Sequence, residues 1–472
     1  MATRDFVTWV AVVGVCGVAS SAAEPIRVGH VRQLFVDDFV IAQRSNVKLT
    51  LHQPTKFNGN PVLVADKPWE AKSVAIYGTV LYDEQERLFK MWYRSIEDTC
   101  YACYATSKDG IHWTKPILDV MPYKGSKKNN IVLGSVKPKF YLDGFAVIKD
   151  PDDPDPNRRY KMLTYNGGRR FAAMISPDGI RWRGPINPKK HDTGDVISMY
   201  HDTELKKYVG LLKRRWIFKD DQGKSEKRRA RLTTFSNDFV NWSDPTWALV
   251  PDKHDPPSTH FYSHVAYMYQ GLRIGYVTVF IKQTELIDTH LCYSRDGLKW
   301  HRYRERVPFL PNSEGTFDGG MLLAGASGLV VRDGKIWIYY CGYNTDHAGR
   351  AHGKGGRDNG IGLAHLRLDG FVSADAGAAG GTLLTKPLVC SGKTLRVNAD
   401  ARNGEIRGEL LDANGWALRG CDLGSTVPFT GDALDAQMRW KTEIGSDLVG
   451  KTVSIRFHLK DAKLYSFWFA KE

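Results

Sequence analysis

Apolar and polar residues alternate along most of this chain with a period of two, in short runs broken by Asp, Gly, Asn and Lys. That period predicts half-buried β-strands rather than helices. The runs come in pairs: 75–82 with 88–94, 145–149 with 160–165, 196–200 with 207–213, 262–269 with 272–280, and 321–331 with 335–343. A short motif punctuates the pattern. Ser107-Lys-Asp109-Gly110-Ile-His-Trp113 returns as Ser176-Pro-Asp178-Gly179-Ile-Arg-Trp182, as Ser236-Asn-Asp238-Phe239-Val-Asn-Trp242 and as Ser294-Arg-Asp296-Gly297-Leu-Lys-Trp300. Its tryptophans stand 182−113=69, 242−182=60 and 300−242=58 residues apart, and Leu368-Asp369-Gly370-Phe371 is a degenerate fifth copy. Periods of this size mark a repeat architecture. Asp-Gly accepts the positive φ of a tight turn, so each copy reads as a structural hairpin whose Trp packs on the neighbouring unit. Three or four antiparallel strands per unit and five units predict an all-β protein, a five-bladed β-propeller over 24–375.

The pattern changes after Phe371. Residues 376–385 are rich in Gly and Ala and read as a linker. Residues 386–472 alternate again and predict a small C-terminal β-sandwich, near the smallest size that folds alone. The strand-like stretch 34–51 is expected to help close the ring. At the other end, Arg4, the apolar run 6–18 and the small residues Ser21-Ala22-Ala23 read as a signal peptide over 1–23, which places the protein as secreted or periplasmic. No later stretch is long and apolar enough to span a bilayer as a helix.

With 472 residues, 42% of them hydrophobic, the chain can bury a large core. Lys and Arg number 66 against 52 Asp and Glu, a net charge of +14. Of the 7 cysteines, Cys16 lies in the signal segment and the remaining six are too few for a disulfide scaffold. Cys100-Tyr-Ala-Cys103 has the spacing of a zinc or redox pair, but it sits in a strand with no second pair and reads as structural.

The repeated hairpin, above all Tyr104-Ala-Thr-Ser-Lys-Asp-Gly-Ile-His-Trp-Thr-Lys-Pro116, resembles that of the five-bladed propeller glycoside hydrolases: arabinanases, xylosidases, invertases and levansucrases, with the mannoside phosphorylases. The sandwich after the last unit is similar to that of the invertase group, whose Trp-Met-Asn-Asp-Pro and Arg-Asp-Pro signatures are absent; Lys149-Asp150-Pro151 matches the second in part. The resemblance implies a site in the central funnel, with acids at the beginnings of the innermost strands.

Applied unit by unit, that geometry selects Glu70, Asp143 and Asp195, with His260 and Tyr262 in the fourth unit and Glu314 and Asp318 in the fifth. Glycoside cleavage needs one protonated carboxyl for the leaving oxygen and one carboxylate to activate water or attack carbon. Like charges held close in a funnel would split their pKa values. By resemblance, Glu70 would be base or nucleophile, Asp143 would orient the sugar and tune pKa, and Asp195 would donate the proton, with Glu285 or Asp318 as alternative catalytic residues. The competing reading makes each of these acids a turn cap on the rim.

The segments joining second and third strands are strongly basic: Arg94, Arg169-Arg170, Lys213-Arg214-Arg215-Trp216, Lys227-Arg228-Arg229, Lys282, and the run from Asp346 through His347, Arg350 and His352 to Arg357. Guanidinium groups pair with sulfate and carboxylate, so an anionic glycan is expected, or else a plain solvated basic face. Substrate-binding candidates are Trp69, Arg94, Arg169, Arg214, His260, Tyr262 and His352; Tyr77 and Trp216 are further rim aromatics. No cofactor is required and no diagnostic metal spacing occurs, though a divalent cation in the funnel is compatible with the fold. Nucleic acid is disfavoured by the export signal and the lack of any motif. A non-catalytic carbohydrate-binding propeller and a glycoside phosphorylase are the alternative functions.

Overall fold

The computed structural model describes residues 24–135, 141–168, 170–188, 191–219, 223–325, 327–352, 359–441 and 448–471. The proposed signal segment and Arg169 lie outside the described residues. Among these the protein is all-β, with short 3-10 turns such as Pro68–Glu70 and Pro156–Arg158. No helix among them is long and apolar enough to cross a membrane.

The paired runs form meandering antiparallel sheets. The first has four strands, Ser73–Asp83, Leu88–Ile96, Cys100–Ser107 and Ile131–Gly134. The second has three, Leu142–Lys149, Tyr160–Asn166 and Phe171–Ser176. The third has four, Ser198–Asp202, Lys207–Lys219, Ser225–Ser236 and Thr246–Leu249. The fourth and fifth units share one nine-stranded sheet. Thr259–Tyr269, Leu272–Ile281 and Leu286–Ser294 make the fourth, Met321–Leu323, Lys335–Tyr343 and Asn359–Arg367 the fifth, and a single parallel pairing, Ile287 with Met321, joins them.

Contacts run from each unit to the next and return to the first. The Trp92 indole donates to Gly179 O at 2.6 Å, and the Val147 amide to Thr79 Oγ1 at 2.8 Å, between units one and two. Gly144 N donates to Asp195 O at 3.1 Å between two and three. Arg273 grips Asp202 at 2.7 and 2.8 Å between three and four. The Tyr339 hydroxyl donates to Gly110 O at 2.8 Å and Ser327 N to Gly78 O at 2.9 Å, returning from five to one. Separate apolar clusters fill the layers between successive sheets, such as Trp92, Phe145 and Met162 between one and two, and Phe171, Met199 and Phe239 between two and three.

The repeated motif builds the turns as its residue types require. In the first copy Asp109 Oδ1 accepts from the amides of Ile111 and His112 at 2.9 and 2.8 Å, and Ser107 Oγ accepts from Gly110 N at 2.8 Å. Gly110, Gly179 and Gly297 all have φ +75°, and Phe239 takes φ 63° at the same position. A second repeated device carries no sequence flag. Buried Asp83, Asp150 and Asp202 end the innermost strands of successive units. Asp83 accepts from Lys90 and from Lys149 of the next unit at 2.9 and 2.8 Å, and Asp150 accepts from Lys161 and from Tyr208 of the next unit at 2.9 and 2.5 Å.

Four sequence expectations differ from the structure. The stretch expected to close the ring instead supplies Ile41–Ser45 and Lys48–Leu51 to the C-terminal sheet, where Val47 and Leu49 join its apolar core; the short strand Thr55–Lys56 edges the fifth unit. The Gly/Ala-rich run contains strand Gly381–Thr385, paired with both Ile41–Ser45 and Thr452–Lys460. Where a two-layer sandwich was expected, most of the C-terminal strands belong to one ten-stranded sheet, and Thr426–Val427 pairs apart from it with Arg439–Trp440. The end strands of its main path are consecutive in the chain, so it curls back on itself. The basic runs 213–216 and 227–229 are strand rather than loop, because Lys207–Lys219 and Ser225–Ser236 pair continuously from Tyr208 with Ser236 to Lys219 with Ser225.

Candidate functional site

Side chains from every unit meet where the innermost strands converge. Backbone irregularity puts several of them there. The first strand of unit one bulges between Ala75 and Thr79, that of unit two opposite the Thr164–Asn166 step, and that of unit four between Phe261 and Ser263. A bulge frees a residue from the ladder and re-aims its side chain. Tyr77, Asp143 and Tyr262 are among the residues freed. Gly144 makes the close approach of units two and three possible: a Cβ there would lie 2.6 Å from Asp195 O. Gly194 is equally constrained, since a Cβ would lie 2.8 Å from Lys213 Cε.

The contacts form a closed circuit. Arg94 donates to Asp143 Oδ1 at 2.5 Å, and its guanidinium stacks 4.4 Å from the Tyr77 ring centroid. Lys213 pairs with Asp195 and lies 4.8 Å from the Tyr262 ring. Arg229 lies 5.3 Å from the same ring and 5.5 Å from that of Phe280. His347 packs edge-on to Tyr262 at 5.6 Å and pairs with Glu285 at 3.4 Å. Tyr343 closes the circuit beside Arg94 and Tyr77. Fully buried Arg231 underpins it by donating to the carbonyls of Tyr262 and Val196, each at 3.2 Å, which ties the Asp195 segment to the Tyr262 bulge.

The two aspartates titrate in opposite directions. Burial raises the Asp143 pKa, and the Arg94 charge only partly opposes it. Burial acts on Asp195 in the same sense, but the charge and hydrogen bond of Lys213 outweigh it and hold Asp195 below the ordinary aspartate value. Burial, reinforced by Asp195, lifts the Tyr262 phenol to about 12. Burial and the Arg229 charge lower His260 to about 4 and lower His347 as well, so both imidazoles are neutral near pH 7.

Of the residues selected from sequence, Arg94, Asp143, Asp195, Tyr262 and Glu285 belong to this cluster. His260 borders it, its Nδ1 accepting from Arg229 N at 3.0 Å and its ring 5.5 Å from Phe280. The others have different surroundings. Glu70 is fully buried and spends its oxygens on Tyr93 OH at 2.5 Å, the amides of Asp66 and Lys67 at 3.0 and 3.2 Å, and Lys115 at 2.7 Å. Trp69 is a core pillar, donating to Asn130 at 2.8 Å. Buried Asp318 holds Lys56 at 2.6 Å and Tyr340 at 2.9 Å. Arg214 folds onto Asp192, and His352 onto Asp346 at 3.1 Å. Tyr77, named from sequence as a rim aromatic, and Lys213, Arg229 and His347, named only as parts of basic runs, also belong to the cluster; Arg231 and Tyr343 carried no signal in the sequence. Cys103 is a buried thiol bonded to Ser95, as a structural reading of the pair requires. Among the described residues no group of three or more His, Cys, Asp or Glu side chains is arranged to hold a metal ion.

No family model matches the chain, and no curated protein matches it. Solved structures do show likeness in chain course. One is a glycoside hydrolase, 12% identical over 67% of this chain and 92% of its own, with a TM-score of 0.47. Another is an N-acetylgalactosamine deacetylase from F. plautii in complex with blood group B trisaccharide, 14% identical over 69% of this chain and 97% of its own, TM-score 0.46. A third comes from the GH130 family of mannoside phosphorylases and glycoside hydrolases that target β-1,2 mannosidic linkages in Candida mannan, 16% identical over 69% of this chain and 97% of its own, TM-score 0.44.

Proposed function

We propose that this protein cleaves glycosidic bonds in the axial cluster, with Asp143 as proton donor and Asp195 as general base or nucleophile. The observation that carries the reading is the close approach of the Asp143 strand to the Asp195 segment, joined by Gly144 N donating to Asp195 O at 3.1 Å, which sets two aspartates near each other in surroundings that shift their pKa values in opposite directions. A carboxyl whose pKa burial raises is the better suited of the two to deliver a proton to the departing oxygen. A carboxylate kept ionised by an ammonium can take a proton from water or attack the anomeric carbon. The roles differ from those the family resemblance implies, which made Asp143 the residue that orients the sugar and Asp195 the proton donor, and Glu70, with all its oxygens engaged, has no part. Tyr262, only partly buried, supplies a flat face on which a sugar ring can stack.

The five units are read as blades of a propeller around this site, supported by the return of contacts from the fifth to the first. Export to a secreted or periplasmic location rests on the leading apolar run with its small residues. An anionic substrate, sulfated or uronic, is supported by the density of Arg and Lys about the cluster. That same density favours one second reading, phosphorolysis, in which Lys213 and Arg229 hold inorganic phosphate in place of water.

The test is turnover of sulfated, uronic and neutral glycans, with and without phosphate. Asp143→Asn and Asp195→Asn should each slow it by about a hundredfold or more with the fold intact. Near-normal turnover in both variants sinks the assignment; a strict phosphate requirement selects phosphorolysis; glycan binding without turnover selects a carbohydrate-binding propeller.

A further inference from the structure

We propose that Arg229 is the anion-binding residue of this site, taking the carboxylate or sulfate group of the sugar at the point of cleavage. This rests on the reading that the axial cluster is where substrate binds.

Five other cations around the cluster are already engaged. Arg94 is engaged by its hydrogen bond to Asp143 at 2.5 Å and Lys213 by its pairing with Asp195. Arg214 pairs with Asp192 at 3.3 Å. Arg228 pairs with Glu226 at 2.9 Å and stacks 3.7 Å from the Phe218 ring. Arg231 is spent on backbone carbonyls. Arg229 differs: its side chain makes no hydrogen bond or ion pair with any described residue. Its position is nonetheless fixed. Its amide donates to His260 at 3.0 Å, its strand pairs it with Arg215, and its guanidinium rests against the Tyr262 and Phe280 rings.

A half-buried guanidinium without a counter-ion is costly, and an arriving anion offsets that cost. Arg215 and Lys282 are exposed and likewise unpaired among the described residues, but no aromatic ring of the cluster holds either in place. The two imidazoles that feel the Arg229 charge are driven neutral, by burial first and by that charge second. Asp195, also within its field, is occupied by Lys213. The planar edge of a guanidinium offers two parallel N–H groups, which suit a carboxylate or a sulfate ester. Because Arg229 shares the Tyr262 ring with Lys213, the partner of Asp195, the anion it takes belongs to the sugar being cleaved and not to a distant one.

The experiment measures affinity of the full chain, by tryptophan fluorescence, for three probes: an oligogalacturonate, a sulfated galactan oligosaccharide and an unsubstituted galactan oligosaccharide. Wild type should bind at least one anionic probe about tenfold more tightly than the neutral one, and the favoured arm tells carboxylate from sulfate. Arg229→Gln should erase the preference, Arg229→Lys should keep part of it, and the thermal midpoints should be unchanged. Equal binding of all three probes by wild type, or an undiminished preference in Arg229→Gln, overturns the proposal. Affinity is read without turnover, so the result stands apart from whether Asp143 and Asp195 perform chemistry.

Discussion

Asp143 and Asp195 show how two identical side chains acquire different chemistry from a few ångströms of surroundings. Asp143 is sealed in against Arg94, whereas Asp195 stays half exposed and receives an ammonium. A folded pKa above the usual value for the acid and below it for the base gives a bell-shaped dependence of kcat/KM. The acidic limb should fall below the ordinary aspartate value of about 3.9 and the basic limb above it. Initial rates across pH check this, and Asp195→Asn should remove the acidic limb. Glu70 gives the contrasting case. Its carboxylate is saturated by one hydroxyl, two amides and Lys115, so Glu70→Gln should destabilise the fold by about 3 kcal/mol, read from denaturant midpoints. The carboxamide presents a donor where only donors point. Turnover per folded molecule should be unchanged.

Among the elements, the strand beginning at Leu142 matters most, because one bulge and one glycine bring the aspartates together. Gly144→Ala puts a methyl group 2.6 Å from Asp195 O, and backbone on both sides must give way. This variant should lose activity by at least about tenfold and also lose stability, since misplacement by about an ångström suffices for a large rate loss. Paired measurements of kcat/KM and thermal midpoint check it; normal values for both would show that the close approach is not needed. The hairpin of Lys207–Lys219 and Ser225–Ser236 makes the complementary point. Alternation along its paired strands, not loop flexibility, sets where Lys213 and Arg229 project.

Across the whole molecule, one apolar cluster runs from Val28 and Phe35 through Tyr276 and Tyr340 of the ring to Ile455 and Phe467 near the C-terminus. Asp369 is buried at the same junction, bonded to Arg32 at 2.9 Å, Tyr269 at 2.6 Å and Ser466 at 2.7 Å. A ring and a C-terminal sheet that share a core should unfold together. Fluorescence of the tryptophans and far-ultraviolet circular dichroism should therefore report one coincident denaturation, and a chain truncated after 386 should fail to accumulate in soluble form. Two resolved transitions would show that the halves are energetically independent.

Local chemistry alone determined much of this protein. The period-two alternation specifies strands, and the repeated Ser-x-Asp motif specifies four equivalent turns, because each of these is settled within a few neighbouring residues. Asp143 and Asp195 were legible because a carboxylate at the head of an innermost strand is a local feature. Glu70 carries the same local feature, yet Tyr93 and Lys115 claim it; its fate was decided by residues far along the chain. The partner sheet of Ile41–Ser45, the bulges that free Tyr77 and Tyr262, and the isolation of the Arg229 guanidinium also belong to the tertiary structure. Alternation says that one face of a strand is buried but not against what, and a charge in the sequence does not show whether folding will bring it a counter-ion.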